Sequence, residues 1–137
     1  MISDERIMGF VEGEGCFNIA IQRHIDRKPR KTGRKVRRKK PAFPFRSRPS
    51  FRVVCVERDR YILEKIRQRL GVGEICIQDR RNRKNHQNIA HYYVQTMADL
   101  LKVKEFFEKQ AFYTTKGKDF KRWGECLEIM LSEKHLT

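Results

Sequence analysis

The sequence predicts an α+β domain, with helices packed on one face of a four-stranded antiparallel sheet and the other face left free. Three observations lead there. Apolar residues alternate with polar ones in four short runs, near 17–21, 51–56, 75–77 and 92–96. Between and around these runs, apolar stripes recur at helical spacing. The outward positions of the alternating runs are polar, small or basic, so only one sheet face has apolar residues to bury. At 137 residues and 39% hydrophobic content, the chain can fill one core and not two, so residues 1–137 are expected to form a single domain.

The elements follow in order. Ser3 to Glu12 reads as a helix: Ser3 is an N-cap, Asp4 and Glu5 suit the positive helix end, and Ile7, Met8, Phe10 and Val11 are its apolar surface. Phe17, Ile19 and Ile21 make the buried side of a first strand, with Asn18, Ala20, Gln22 and His24 on the other side. Phe51 and Val53, with the flanking Val54 and Val56, form a second strand, whose outward residue is Arg52. Residues 59–70 form a helix with Ile62, Leu63, Ile66 and Leu70 on one side and Gly71 past its end. Ile75 and Ile77 define a third strand, with Cys76, Gln78 and Arg80 pointing away. Tyr92 to Thr96 form the fourth after a polar hairpin. Two helices finish the chain, marked by Leu100, Leu101, Phe106 and Phe107, then by Phe120, Trp123, Leu127, Met130 and Leu131.

Charge is concentrated. The formal net charge is +15, and residues 23–48 hold thirteen Lys or Arg against one acid, Asp26, so that segment alone carries +12. Residues 24–49 are therefore expected to form a basic arm between the first two strands. Arg27, Lys28, Arg37, Arg38, Lys39, Lys40, Arg46 and Arg48 are its candidate phosphate contacts. A smaller cluster, Arg80, Arg81, Arg83 and Lys84, sits in the polar hairpin. Such a balance disfavours a small neutral substrate and favours a polyanion. A twisted antiparallel sheet bearing Asn18, Gln22, Arg52 and Gln78 has the dimensions and donors to read base edges in a DNA major groove. No apolar run approaches the ~20 residues a membrane span needs, and the first residues lack a signal-peptide profile, so an intracellular, non-membrane protein is expected. Cys16, Cys55, Cys76 and Cys126 form no close pair, which argues against a zinc finger or disulfide framework.

One short stretch carries chemistry. In Gly9-Phe10-Val11-Glu12-Gly13-Glu14-Gly15, three glycines frame two carboxylates where a helix runs into a strand. Gly9 and Gly13, four apart, lie on one helix face and allow another backbone to approach closely. A carboxylate such as Glu14 is out of place on a phosphate-seeking surface unless it holds a divalent cation, and Mg²⁺ prefers oxygen ligands and bridges to phosphate.

The segment Ile7–Phe17, IMGFVEGEGCF, resembles the signature of the LAGLIDADG homing endonucleases. Ser50–Ile75 resembles that family's second strand, following helix and Gly-x-Gly turn. Tyr93–Phe120, ending AFYTTKGKDF, resembles its later strand, helix and lysine-bearing turn. The resemblance implies an αββαββα fold whose free sheet face is a DNA-binding saddle. It implies that Ile7, Gly9, Phe10 and Gly13 pack against a second signature helix. It makes Glu14 a catalytic metal ligand with the Gly13 carbonyl beside it, gives Glu12 a more structural role, and makes Lys116 the lysine that positions or activates water, with Lys118 as its neighbour. Where the family often has Gln at the end of the second strand, this chain has Cys55, whose thiol does not orient water as an amide does; Arg52 and Lys116 are candidates to share that work.

A single signature copy implies a homodimer with two equivalent sites on a long, pseudo-palindromic DNA target. The expected activity is a Mg²⁺-dependent (or Mn²⁺-dependent) double-strand break. The alternative is an intron RNA maturase or another non-cleaving nucleic-acid-binding protein on the same fold, with intron RNA as its partner.

Overall fold

In the computed structural model, described for residues 2–23, 45–79 and 87–133, the elements run α1 (Asp4–Glu14), β1 (Gly15–Arg23), β2 (Phe45–Val56), a 3₁₀ turn (Glu57–Asp59), α2 (Tyr61–Leu70), β3 (Glu74–Gln78), β4 (Ile89–Val94), α3 (Met97–Glu108) and α4 (Lys116–Glu133). The α+β class holds, with a second terminal helix added to the αββαββα order. Among the described residues, no helix is long and apolar enough to cross a membrane.

The four strands form one antiparallel sheet in the order β1-β2-β4-β3. Register follows the apolar pattern: Phe17 lies opposite Phe51, and Tyr92 sits between Val53 on one side and Ile75 on the other. Because β2 and β4 are central, Phe51, Val53, Tyr92 and Val94 are buried. Phe17 is the hub beneath the helices, with ring centroids 5.0 Å from Phe51, 5.1 Å from Trp123, 5.2 Å from Phe120 and 5.3 Å from Phe107. The Trp123 indole N–H donates to the Asn18 carbonyl at 3.3 Å and fastens α4 to β1.

Several boundaries differ from the sequence reading. Helix α1 continues two residues beyond Glu12, and Gly15 caps it in an extended conformation with its N–H on the Val11 carbonyl. A Cβ at position 15 would stand 2.7 Å from both the Val11 side chain and its carbonyl, so only glycine fits this helix-to-strand step. Strand β2 begins at Phe45, inside the segment read as a connecting arm, so Arg46 and Arg48 are strand residues. Strand β4 starts three residues early, and Thr96 is the extended N-cap of α3 rather than the end of the strand. Ile21 is a correction: it has the expected parity, yet it is 71% exposed, because it lies two residues beyond Ile19, past the aromatic cluster.

After α2, the turn to β3 needs Gly73. Its φ is +97°, and a Cβ there would stand 2.7–2.8 Å from the Tyr92 ring, whose hydroxyl donates to the Val72 carbonyl at 2.6 Å. Asp4 and Arg69 pair through two bonds, 2.8 and 3.1 Å, and join α1 to α2.

Candidate functional site

The site is built at the C-terminal end of α1. Glu14 is its last residue and is exposed. The final carbonyls of a helix have no intrahelical donors and form its negative pole, and the last turn of α1 contains no basic residue to offset it. The cation comes from far along the chain: Lys116, the first residue of α4, donates its ammonium Nζ to the Gly15 carbonyl.

Glu12 fixes that lysine. Its Oε1 accepts the N–H of Tyr113 at 2.6 Å, the N–H of Thr114 at 2.9 Å and the Thr114 hydroxyl at 3.2 Å. The Thr114 Oγ1 in turn accepts the Lys116 N–H at 3.3 Å. Partial desolvation pushes the Glu12 carboxyl up, but the Tyr113 and Thr114 donors and the Lys116 charge outweigh it and hold the carboxyl below its ordinary value. The two acids of the signature thus differ in role: Glu12 is spent on the α3–α4 loop, and Glu14 stands free of such bonds among the described residues.

Cys55 belongs to the same neighbourhood. Burial pushes its thiol up, and the charges of Asp59 and Glu14 push it further, so it stays protonated at neutral pH.

The donors at this helix end are all oxygens, the Glu14 carboxylate and the last-turn carbonyls including that of Gly13, and these suit a hard divalent cation. No group of three His, Cys, Asp or Glu residues comes together among the described residues. Among the described residues Glu14 is the signature carboxylate left without loop hydrogen bonds, and a single carboxylate suits an ion such as Mg²⁺ that keeps several waters and shares its remaining positions with phosphate.

Gly9 and Gly13 lie exposed on α1, and a Cβ added at either meets nothing within 4 Å. Nothing among the described residues of the protomer requires glycine at these positions. Phe10 beside them is half-buried. Ile7, expected on the same contact face, is corrected: it is 0% exposed within the protomer's own core and has no surface to offer a partner.

On the free sheet face, the register aligns Cys16 with Arg52, Arg52 with Tyr93 and Tyr93 with Glu74 in one row. A second row holds Val54, His91 and Cys76, and further rows hold Asn18 with Ser50 and Ala20 with Arg48. Asn18, Arg48, Arg52, Cys76 and Gln78 are exposed and Ala20 is half-buried, on the face that parity indicated. His91 approaches the Gln78 side-chain oxygen at 3.1 Å, and the Tyr93 hydroxyl donates to Glu74 at 2.9 Å. Glu74, His91, Tyr93 and Ser50 were missed by the sequence reading. Carrying the two-residue period through the strand after the hairpin would have found His91 and Tyr93. The side chains of Gln22 and Arg46 lie outside the description, as do His24, Arg27, Lys28, Arg37, Arg38, Lys39, Lys40, Arg80, Arg81, Arg83 and Lys84.

The sequence and the fold have counterparts among known proteins. A Neurospora crassa protein described as Probable intron-encoded endonuclease 3 is 28% identical over 130 residues, which are 94% of this chain and 21% of that protein. The crystal structure of a homing endonuclease, I-TnaI, is 32% identical with a TM-score of 0.72, covering 99% of this chain and 78% of that one. The LAGLIDADG meganuclease I-AabMI, solved bound to uncleaved DNA, has the same fold at 24% identity and a TM-score of 0.73, with 99% of this chain matched to 39% of that one. This chain thus spans about a fifth of the Neurospora relative and well under half of the DNA-bound meganuclease. Residues 7–127, from the buried Ile7 to the core residue Leu127 and including both Glu14 and Lys116, match the family model described as LAGLIDADG endonuclease, and the chain belongs to that family.

Proposed function

We propose that this chain is the single-signature unit of a metal-dependent homing endonuclease. It pairs with a second copy through α1, binds a long pseudo-palindromic DNA site along its free sheet face, and cuts both strands. The observation that carries this reading is the convergence of Glu14, the carbonyl end of α1 and the Lys116 ammonium at one edge of a polar, basic sheet face.

Glu14 and the Gly13 carbonyl would hold the divalent cation, which when bound would polarise the phosphodiester as a Lewis acid and lower the pKa of water. Lys116, held by Glu12 through Thr114 and by the Gly15 carbonyl, keeps its positive charge directed at the scissile phosphate. There it orients the attacking water and offsets charge on the leaving oxygen. Water oxygen bonds to phosphorus, the P–O bond to the leaving oxygen breaks, and the proton released by water passes to solvent. Exposed Gly9 and Gly13 let two α1 helices approach at backbone distance, which brings two Glu14 carboxylates to one duplex. Arg48, Arg52, Asn18 and Gln78 face the DNA, and the basic residues of 24–49 add phosphate contacts.

The test is cleavage of a library of candidate intron- and intein-insertion sequences. Wild type is expected to make Mg²⁺-dependent double-strand cuts, and Glu14→Gln is expected to bind the same DNA without cutting it. Cutting that survives the substitution removes Glu14 from the metal site. The Cys55 thiol favours one second reading, an intron RNA maturase using the same surface without hydrolysis. Tight binding of intron RNA with no nicking of cognate DNA would decide for it.

A further inference from the structure

Strand β2 outruns its neighbour. Strand β4 ends at Val94, opposite Phe51, so Phe45–Ser50 pair with β1 on one side and have no β4 partner on the other. The chain turns there into α3, and a recess of about 530 Å³ opens between the overhanging end of β2 and the first residues of that helix. It is lined by Arg48, Ser50 and Arg52 from β2, Asn18 from β1, and Thr96 and Met97 at the start of α3; among the described residues no carboxylate lines it.

Three features of this recess suit an anion. The 12-residue helix α3 presents its positive end there, and its first intrahelical bond is made by Leu100 to the Thr96 carbonyl. The N–H groups of Met97, Ala98 and Asp99 therefore have no helical acceptor, and the Thr96 hydroxyl makes no capping bond to them. Arg48 and Arg52 are exposed and form no ion pair with another described residue. Independently, Ser50 is 6% exposed, and its hydroxyl has no hydrogen-bond partner among the described residues. Among the described residues no partnerless side-chain polar atom is sealed from solvent, so this hydroxyl opens onto the recess that Ser50 lines. Water at the mouth of the recess satisfies this hydroxyl, and a phosphate oxygen entering the recess can replace that water as its partner. Asp99 in the first helical turn offsets part of the positive end, but it does not line the recess.

We propose that this recess is a phosphate site separate from the end of α1. Ser50, the α3 amides and the two arginines hold one phosphate there and register the outer end of the sheet on the DNA backbone. The inference rests on the DNA-binding reading above. Contacts of this kind position a protein on a duplex without reading sequence.

The test uses the full chain labelled with ¹⁵N. A short duplex of random sequence and, separately, inorganic phosphate are titrated while the amide signals of Ser50, Met97 and Ala98 are followed. Duplex affinity is measured against salt for wild type, Arg48→Ala and Ser50→Ala. Duplex is expected to shift all three signals. Arg48→Ala should lower the salt slope by about 0.9 for each bound protomer, and Ser50→Ala should weaken binding by roughly tenfold for each bound protomer with the slope kept. Shifts with inorganic phosphate as well show a site preformed for the free ion, and shifts with duplex alone show one completed by the DNA backbone; both sustain the proposal. Duplex binding by wild type with the three signals unmoved and both variants unchanged overturns the phosphate site alone. Failure of wild type to bind any duplex while phosphate still shifts the signals overturns the DNA reading alone. Silence to both ligands overturns the two together.

Discussion

Replacing Gly9 by alanine should strengthen the protomer and break the pair. Among the described residues of the protomer, a Cβ at position 9 meets nothing within 4 Å, and the residue is exposed in the body of α1. Glycine there has only its helix-propensity cost, so alanine should stabilise the isolated chain by about 0.5–1 kcal/mol. For a domain of this size, that is a rise in Tm of roughly 2–5 °C. In a twofold pair, one substitution adds two methyl groups to a contact between backbones. Overpacking costs ~1–3 kcal/mol per site, so the pair should weaken by about 2–6 kcal/mol, or roughly 30-fold to 20,000-fold. The assay combines sedimentation equilibrium with thermal melts over a dilution series. The wild-type Tm should climb with protein concentration, because pairing stabilises the fold by mass action. The Gly9→Ala Tm should be flat with concentration and higher than wild type at the dilute end, with double-strand cutting lost. A variant that melts lower when dilute, or that keeps the wild-type association constant, would refute the reasoning.

Lys116→Met should reduce cutting by ~10²-fold or more with DNA affinity nearly unchanged, read by single-turnover kinetics against a binding isotherm. Gly73→Ala combines a positive φ of 97° with overlap on the Tyr92 ring, and should cost about 2–4 kcal/mol in chemical denaturation. Because Glu12 is held below its ordinary carboxyl value, its contribution to folding is full above the unfolded value of 4.5 and fades as pH falls through the lower folded value. Glu12→Gln keeps an acceptor oxygen and removes the charge, so its stability should fall less than wild type on acidification below about pH 5. Equal acid slopes in the two proteins would show that the charge on Glu12 is not what fastens the α3–α4 loop.

Local pattern was enough for much of this protein. The alternation Phe17-Ile19 and Phe51-Val53 is a property of adjacent residues, so it named the strands and their buried side before any pairing was known. The glycine-framed acids and the basic segment are likewise visible in short windows, and the resemblance carried by Ile7–Phe17 and Tyr93–Phe120 pointed to Glu14 and Lys116. Ile7 shows where a window misleads. Its place on α1 beside Gly9 fits a contact face, but only the packing of α1 over the sheet makes it core.

Tertiary structure decided whatever depends on residues far apart in the chain meeting. Strand order β1-β2-β4-β3 leaves the β2 overhang, and with it the recess at the start of α3, because strand lengths differ at a register that no single strand encodes. Glu12 and Thr114 are separated by 102 positions, and their bonds exist only once α1 and the α3–α4 loop have been packed against the same core. Those bonds divide the labour between two neighbouring carboxylates. Periodicity is written over a few residues, whereas which acid is tied down and which stays free is settled by what the folded chain brings alongside it.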